Sequence, residues 1–322
     1  MEERVIKGQL RREMGKTGWA LLIYYLLMNS IVSLAGVIQI AATLIVNGVE
    51  NVLFEDAITD ALVENGWGYL VAIVIGAVLM LLWKKKHFCF HAIWQSERNM
   101  TTGSFFMLLA IFLGGQIVFS LVSEGLEFLF NLFGLSVMDA MEAVSGSSDS
   151  FSMFLYIGLF APIAEEILFR GLLLRMLQPY GKRFAILATA FLFGIFHGNI
   201  VQSPFAFVMG LILGYVALEY SIGWAMVLHM INNMLVADSL TRLSNLLPPW
   251  AGELMFTVIL LGSAVAAVII LLRKRKEIAA YRREDPMHPW CVSSFFSSAG
   301  VIVLTVVMAL NMLLTVTVLA VG

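Results

Sequence analysis

The sequence predicts an all-α fold, a polytopic bundle of membrane-spanning helices, and three observations predict it. Of the 322 residues, 60% are hydrophobic and only 13% are charged, whereas about a quarter of a soluble domain is charged. Apolar runs recur that are long enough to cross a bilayer core, which takes about 20 residues. Basic residues fall in alternate loops, as expected of a membrane protein with a fixed orientation. Lipid is therefore the expected solvent for much of the chain.

Nine apolar runs predict nine spanning helices. The runs lie near residues 17–46, 67–83, 104–123, 151–177, 183–199, 203–222, 224–240, 250–272 and 293–321. The first run is longer than the apolar core of a cleaved signal peptide, so we expect it to be an uncleaved span. Glycine and serine inside the runs would let neighbouring backbones approach closely.

The distribution of charge predicts the orientation of the chain. If the spans alternate, 18 of the 20 Lys and Arg residues fall on one side, and the exceptions are Arg170 and Arg242. The positive-inside rule then places the N-terminus in the cytoplasm and, with nine spans, the C-terminus outside. The short loops favour a bacterial cell membrane. The net charge of -2 gives no reason to expect a nucleic-acid partner.

The fourth run carries three ionisable residues at membrane depth, Glu165, Glu166 and Arg170. Each buried charge costs about 2.5–3.5 kcal/mol on insertion scales, so such groups are expected to be functional. Glu166 and Arg170 are four residues apart and can form an ion pair on one helix face. Glu165 is rotated by about 100° from Glu166 and has no such partner in its helix. This pattern predicts Glu165 as a general base and the Glu166–Arg170 pair as structural.

Two later runs add histidines at helical spacing. Phe193 and His197 are four residues apart, as are His229 and Asn233. A single membrane histidine more often makes a hydrogen bond between helices than performs catalysis. Because the histidines accompany two adjacent glutamates on neighbouring spans, the set favours an acid–base site.

The three segments EEILFR (165–170), FGIFH (193–197) and HMINN (229–233) look like the motifs EExxxR, FxxxH and HxxxN. In that order and on successive membrane helices, these motifs are typical of the type II CAAX prenyl endopeptidase and bacteriocin-processing family, also called CPBP or Abi. The chain resembles this family across about 150–246. The resemblance implies intramembrane proteolysis by an eight-helix core, to which this chain would add one C-terminal helix.

The resemblance also implies roles for individual residues. In the family, the first glutamate and the FxxxH histidine activate water, a role that falls on Glu165 and His197. The second histidine and the asparagine resemble an oxyanion site, which falls on His229 and Asn233. An N–H group aimed at the developing oxyanion would stabilise it. The supporting positions of the motifs are Glu166, Arg170 and Phe193.

A zinc mechanism is the alternative to glutamate catalysis, since one glutamate and two histidines also form a zinc ligand set. The ligands would then be Glu165, His197 and His229. The chain has no HExxH motif, and Asn233 is a better amide donor than zinc ligand. The favoured interpretation therefore requires no cofactor, and zinc stays possible.

Two other functions are compatible with buried glutamate and histidine. One is a non-catalytic bacteriocin-immunity or partner-binding protein of the same fold. The other is a proton-coupled transporter, but such proteins often contain repeated halves, and none is visible in the sequence. The expected partners of an enzyme are membrane lipid and a peptide or protein substrate that is membrane-associated or lipidated. The substrate and the oligomeric state cannot be derived from the sequence.

The predicted organisation has five parts. Three spans with acidic outer loops (1–150) precede a catalytic transmembrane core (151–246) and an eighth helix (247–272). A basic cytoplasmic linker (273–292) then leads to the added helix (293–322), which we expect to anchor or pack.

The depths of the site residues impose a condition on the fold. Glu165 and His197 lie about 18 and 21 Å from the cytoplasmic ends of their spans, whereas His229 lies only about 8 Å into its own. These depths agree only if the turn at 221–223 dips into the protein interior. Glu219, just before that turn, is expected to make a contact at the rim.

Overall fold

The computed structural model describes residues 2–48, 65–83, 96–145, 150–234, 240–285 and 287–318. This part of the chain is a helical bundle, which confirms the predicted fold class. The first five helices are α1 (Glu2–Asn47), α2 (Trp67–Trp83), α3 (Thr102–Gly114), α4 (Gln116–Asn131) and α5 (Met138–Ser145).

The residues around the two glutamates form one continuous helical segment, 151–177, which we call the diglutamate helix. It consists of α6 (Phe151–Leu155), a π-helical stretch (Tyr156–Phe160), α7 (Ala161–Glu166), a second π-helical stretch (Ile167–Leu174) and α8 (Arg175–Leu177). A 3₁₀ turn (Gln178–Tyr180) ends it. Pro162 lies in the first turn of α7 and donates no backbone hydrogen bond. The first π-helical stretch ends just before it, so the helix is locally distorted next to the proline.

The remaining elements complete the bundle. They are α9 (Lys182–Phe196), α10 (Gln202–Glu219), α11 (Ile222–Ile231), α12 (Leu240–Asn245), α13 (Pro249–Glu284), α14 (Pro289–Phe296) and α15 (Ala299–Leu314). Two short strands, β1 (Leu135–Ser136) and β2 (Thr317–Val318), pair in antiparallel fashion.

The chain is an integral membrane protein. Among the described residues, four helical segments are long and apolar enough to cross a membrane: Glu3–Asn47, Thr102–Asn131, Gln202–Glu219 and Pro249–Glu284. The pair α14 and α15, bent by 66°, would make a fifth. Every predicted apolar run contains a described helix, while the number of spans stays a prediction.

Three helix boundaries differ from the predicted runs. The run 104–123 is divided at Gly115, where an added Cβ would lie 2.9 Å from Met209 Sδ. The run 293–321 is divided between α14 and α15. Helix α13 continues through the first part of the expected linker, because its Lys, Arg, Glu and Ala residues favour helix.

The core is centred on α9 and α10, which glycines allow to pack closely. An added Cβ on Gly210 would lie 3.0 Å from Ala190 Cα, and one on Gly194 would lie 2.9 Å from the Ser203 carbonyl oxygen. By contrast, α13 exposes most of its apolar side chains, and of its residues only Gly252 and Ala267 are buried. The site therefore lies in the densely packed part of the bundle.

The turn between α10 and α11 is buried, as the depth argument required. Ser221 is 1% exposed and Ile222 is fully buried. The Ser221 hydroxyl accepts a hydrogen bond from the Trp224 backbone N–H (3.2 Å) and so caps α11. Because α11 starts inside the protein, His229 needs only two helical turns to reach the depth of the diglutamate helix.

The C-terminal helices pack against the start of the chain. Glycine allows the backbones of α1 and α15 to touch, since an added Cβ on Gly18 would lie 2.2 Å from the Gly300 carbonyl carbon. The Arg11 side chain donates to the Ser297 carbonyl (3.0 Å). Beyond α15, β2 joins β1. The segment is thus held at both ends.

Candidate active site

Glu166 and Arg170 form the predicted ion pair within the diglutamate helix. Arg170 Nη1 lies 3.1 Å from Glu166 Oε1, and both side chains are fully buried. Arg170 Nη2 also donates to the Gly210 carbonyl (3.4 Å), which links the pair to α10. Removing only one partner of such a buried pair strongly destabilises the protein, because the other charge stays buried.

His229 joins this pair from α11. Its Nδ1 lies 2.9 Å from Glu166 Oε1, and its Nε2 lies 3.8 Å from Glu165 Oε2. A hydrogen bond to a carboxylate requires a proton on Nδ1, so Glu166 determines which ring nitrogen of His229 is protonated. The sequence pattern did not reveal this partner, because it depends on contact between helices 63 residues apart.

Glu165 has a different environment from Glu166. Its side chain is 27% exposed, and its approach to His229 is too long for a hydrogen bond. His197, Tyr24 and Tyr156 lie within electrostatic range of this carboxylate. Glu165 therefore lies among polar groups rather than within a closed ion pair.

The two tyrosines are the residues of the site that the motifs did not indicate. Tyr24 comes from α1 and is 6% exposed, while Tyr156 begins the first π-helical stretch. Tyrosine is common near the ends of membrane spans, so nothing in the spacing distinguished this pair. Only packing of α1 against the core brings Tyr24 to the site.

The Phe193 ring packs against both histidines of the site. Its ring meets the His197 ring at 4.8 Å and the His229 ring at 5.9 Å, both edge to face. The Arg170 guanidinium lies 4.2 Å from the same ring centre, a cation–π contact. His197 Nδ1 also lies 2.7 Å from the Phe193 carbonyl, which leaves Nε2 for a second interaction.

Asn233 follows α11 and makes contact elsewhere on the diglutamate helix. Its Nδ2 donates to the Ile157 carbonyl (2.9 Å), and its Oδ1 accepts from Asn232 (3.0 Å). Asn232 in turn bonds Gln116 of α4. The structure thus brings Glu165, Glu166, His197 and His229 together. Asn233 instead bonds the backbone of the diglutamate helix, and its oxyanion role stays a prediction.

The described residues do not form a metal centre. No group of three or more His, Cys, Asp or Glu side chains among them has an arrangement that could hold a metal ion. Whether Glu165, His197 and His229 bind zinc stays a prediction.

The acid–base cluster lies in the segment whose three motifs resemble those of a known peptidase family. Residues 147–235 match the model of the type II CAAX prenyl endopeptidase Rce1-like family, which confirms the predicted resemblance over this segment. The match contains all three motifs and supports a peptidase role. Neither a curated protein nor a solved structure matches the chain.

Proposed function

We propose that this protein is an intramembrane endopeptidase that hydrolyses a peptide bond in a membrane-associated or lipidated substrate. One observation carries the proposal: two adjacent carboxylates have opposite environments. Glu166 is fully buried, ion-paired with Arg170 and hydrogen-bonded to His229, whereas Glu165 is partly exposed and 3.8 Å from His229 Nε2. A general base must be accessible and close to its catalytic partners, and the partial exposure of Glu165 beside His229 favours it over Glu166 for this role.

In the proposed reaction Glu165, assisted by His197, takes a proton from water. The resulting hydroxide attacks the peptide carbonyl, and the oxygen of the tetrahedral intermediate becomes negatively charged. Glu165 then gives the proton to the leaving amine, so proton and charge balance over the cycle. This sequence needs no metal ion.

The negative intermediate requires hydrogen-bond donors. Because Nδ1 of His229 is engaged by Glu166, Nε2 is the ring nitrogen that remains to face the intermediate. Asn233 can add its second amide N–H. One such donor accelerates acyl-transfer reactions by about 10²–10³.

An apolar cavity supports entry of the substrate from lipid. The cavity, of about 420 Å³, lies between α1 and α2 and is lined by Trp19, Tyr24 and Gly76 among other residues. Lys16 and Trp83 also line it, and such residues favour the membrane interface. Tyr24 belongs to both the cavity and the surroundings of Glu165. An alkyl or prenyl chain in this cavity would place the attached peptide near the site.

The test is cleavage by purified protein in lipid vesicles. A peptide library with lipidated and unmodified members is incubated in H₂¹⁸O, and products are identified by mass spectrometry. We expect one ¹⁸O atom in each new carboxylate and a preference for lipidated members. Glu165→Gln should lower kcat/KM by about 10²–10⁴, while Glu277→Gln, at a side chain 69% exposed, serves as the matched control.

Three outcomes would contradict the proposal. Equal cleavage by wild type and Glu165→Gln would remove Glu165 as the base. Loss of cleavage on chelation, with recovery on adding zinc, would replace the metal-free mechanism with a metallopeptidase. Wild-type protein that binds peptides without cutting any would favour the partner-binding function.

A further inference from the structure

The turn that carries His197 has an unusual hydrogen bond. Gly198, the next residue, has φ of +60°, a conformation that favours glycine. Its carbonyl accepts a hydrogen bond from Asn311 Nδ2 at 3.0 Å. Asn311 lies on α15, 113 residues away and outside the segment that matches the family.

The contact between these residues is close. An added Cβ on Gly198 would lie 2.5 Å from Asn311 Nδ2, so the glycine makes room for the amide. An asparagine in an apolar helix is costly unless it is hydrogen-bonded. The Gly198 carbonyl, just after the end of α9, accepts this hydrogen bond from Asn311.

The same turn is held on its other side. Asn199 Nδ2 donates to the Ala140 carbonyl (2.9 Å), and Asn199 Oδ1 accepts from the backbone of Val201 and Gln202. His197 itself is tied to the Phe193 carbonyl through Nδ1. The direction of the imidazole therefore depends on a turn that two asparagines fix.

The position of Asn311 is itself fixed by contacts away from the site. Helix α15 packs on α1 where glycines meet, at Gly18 and Gly300. Strand β2, just after α15, pairs with β1. A donor held in this way can fix a turn, whereas a donor on a loosely packed helix could not.

We propose that Asn311 is a positioning residue for His197, so that the added C-terminal helix is part of the catalytic apparatus. This inference rests on the proposed peptidase function. Asn311 touches no reacting atom, and it acts by holding the Gly198 carbonyl and hence the direction of the His197 ring.

The experiment replaces Asn311 by leucine, which keeps the volume and removes the donor. The matched control is Thr305→Val, also on α15, whose buried hydroxyl has no hydrogen-bond partner among the described residues. We expect Asn311→Leu to lower kcat about tenfold with little change in KM, because a displaced catalytic group slows the chemical step. Asn311→Gln, which keeps an amide donor, should recover part of the loss.

A second measurement reads the ring directly. Histidine is labelled with ¹⁵N, and the His197 signals are assigned by their loss in His197→Gln. Asn311→Leu should shift these signals, while Thr305→Val should leave them unchanged. If Asn311→Leu does not fold, Asn311→Ser, which is too short to reach the carbonyl, takes its place.

The outcomes separate the two proposals. Unchanged kcat and unchanged His197 signals would overturn the role of Asn311 and leave the peptidase function intact. Equal losses in Asn311→Leu and Thr305→Val would also overturn it. If the wild type cleaves nothing, the peptidase function fails, and the ring signals still decide whether Asn311 positions His197.

Discussion

Two buried glutamates have different surroundings: Glu166 in the diglutamate helix, which we call the core site, and Glu219 at the end of α10, which we call the rim. Glu166 is fully buried, and its partners Arg170 and His229 are buried with it. Glu219, at the end of α10, is 2% exposed and lies 3.2 Å from both Arg98 and Lys182. Its partners reach solvent, since the side chain of Arg98 is 59% exposed and that of Lys182 is 29% exposed.

The difference indicates which carboxylate suits the proposed role of general base. Burial and ion pairing occur at both places, so neither property alone indicates chemistry. At the rim, the neighbouring Glu97 is engaged by Lys182 at 2.8 Å. In the core, the neighbouring Glu165 has no comparable ion pair with a Lys or Arg among the described residues. The core site is therefore distinguished by Glu165, a carboxylate that lies next to the Glu166–Arg170 ion pair and has no comparable ion pair of its own among the described residues.

The largest effect is expected in the core. Glu166→Gln leaves Arg170 buried with little compensation, which costs about 3–5 kcal/mol of unfolding free energy, and it also removes the partner of His229 Nδ1. Unfolding in detergent and kcat/KM on the cleaved peptide measure the two effects. The double variant Glu166→Gln/Arg170→Met should recover stability but not cleavage. Recovery of both would mean that the pair is structural only.

A smaller effect is expected at the rim. Glu219→Gln weakens charge-assisted hydrogen bonds whose partners remain hydrated, at a cost of about 1–3 kcal/mol. Its kcat/KM, per folded molecule, should stay close to that of the wild type. A loss of kcat as large as that of Glu166→Gln would show that the comparison is wrong and that the rim takes part in the reaction.

The smallest expected effect is on the stability of the folded protein at alkaline pH. Burial opposes the charge of Lys182, but Glu97 and Glu219 outweigh burial, so the pKa of Lys182 is raised above its ordinary value. The folded state then binds this proton more tightly than the unfolded state. The resulting stabilisation is complete below the ordinary lysine pKa and is lost as pH rises through the raised pKa. Thermal unfolding of Lys182→Met should depend less on alkaline pH than that of wild type or Lys274→Met.

Features that depend on neighbours in sequence were predictable. The Glu166–Arg170 pair follows from i,i+4 spacing, and the buried turn before α11 follows from the depth of His229. The bond between Glu166 and His229 was not predictable, since it depends on how two helices pack. The position of Tyr24 near Glu165 was not predictable for the same reason, since it depends on how α1 packs against the core. The contact of Asn311 was not predictable either, because its partner is a backbone carbonyl that no residue type encodes.

The glycine contact joins α1 and α15, two helices that are far apart in the order of synthesis. Helix α1 is inserted early, whereas α15 enters the bilayer only after every other described helix has been made. Through Asn311, the His197 turn would receive its final support at that point. A chain synthesised only as far as α14 would thus contain all three motifs without the hydrogen bond that supports the His197 turn.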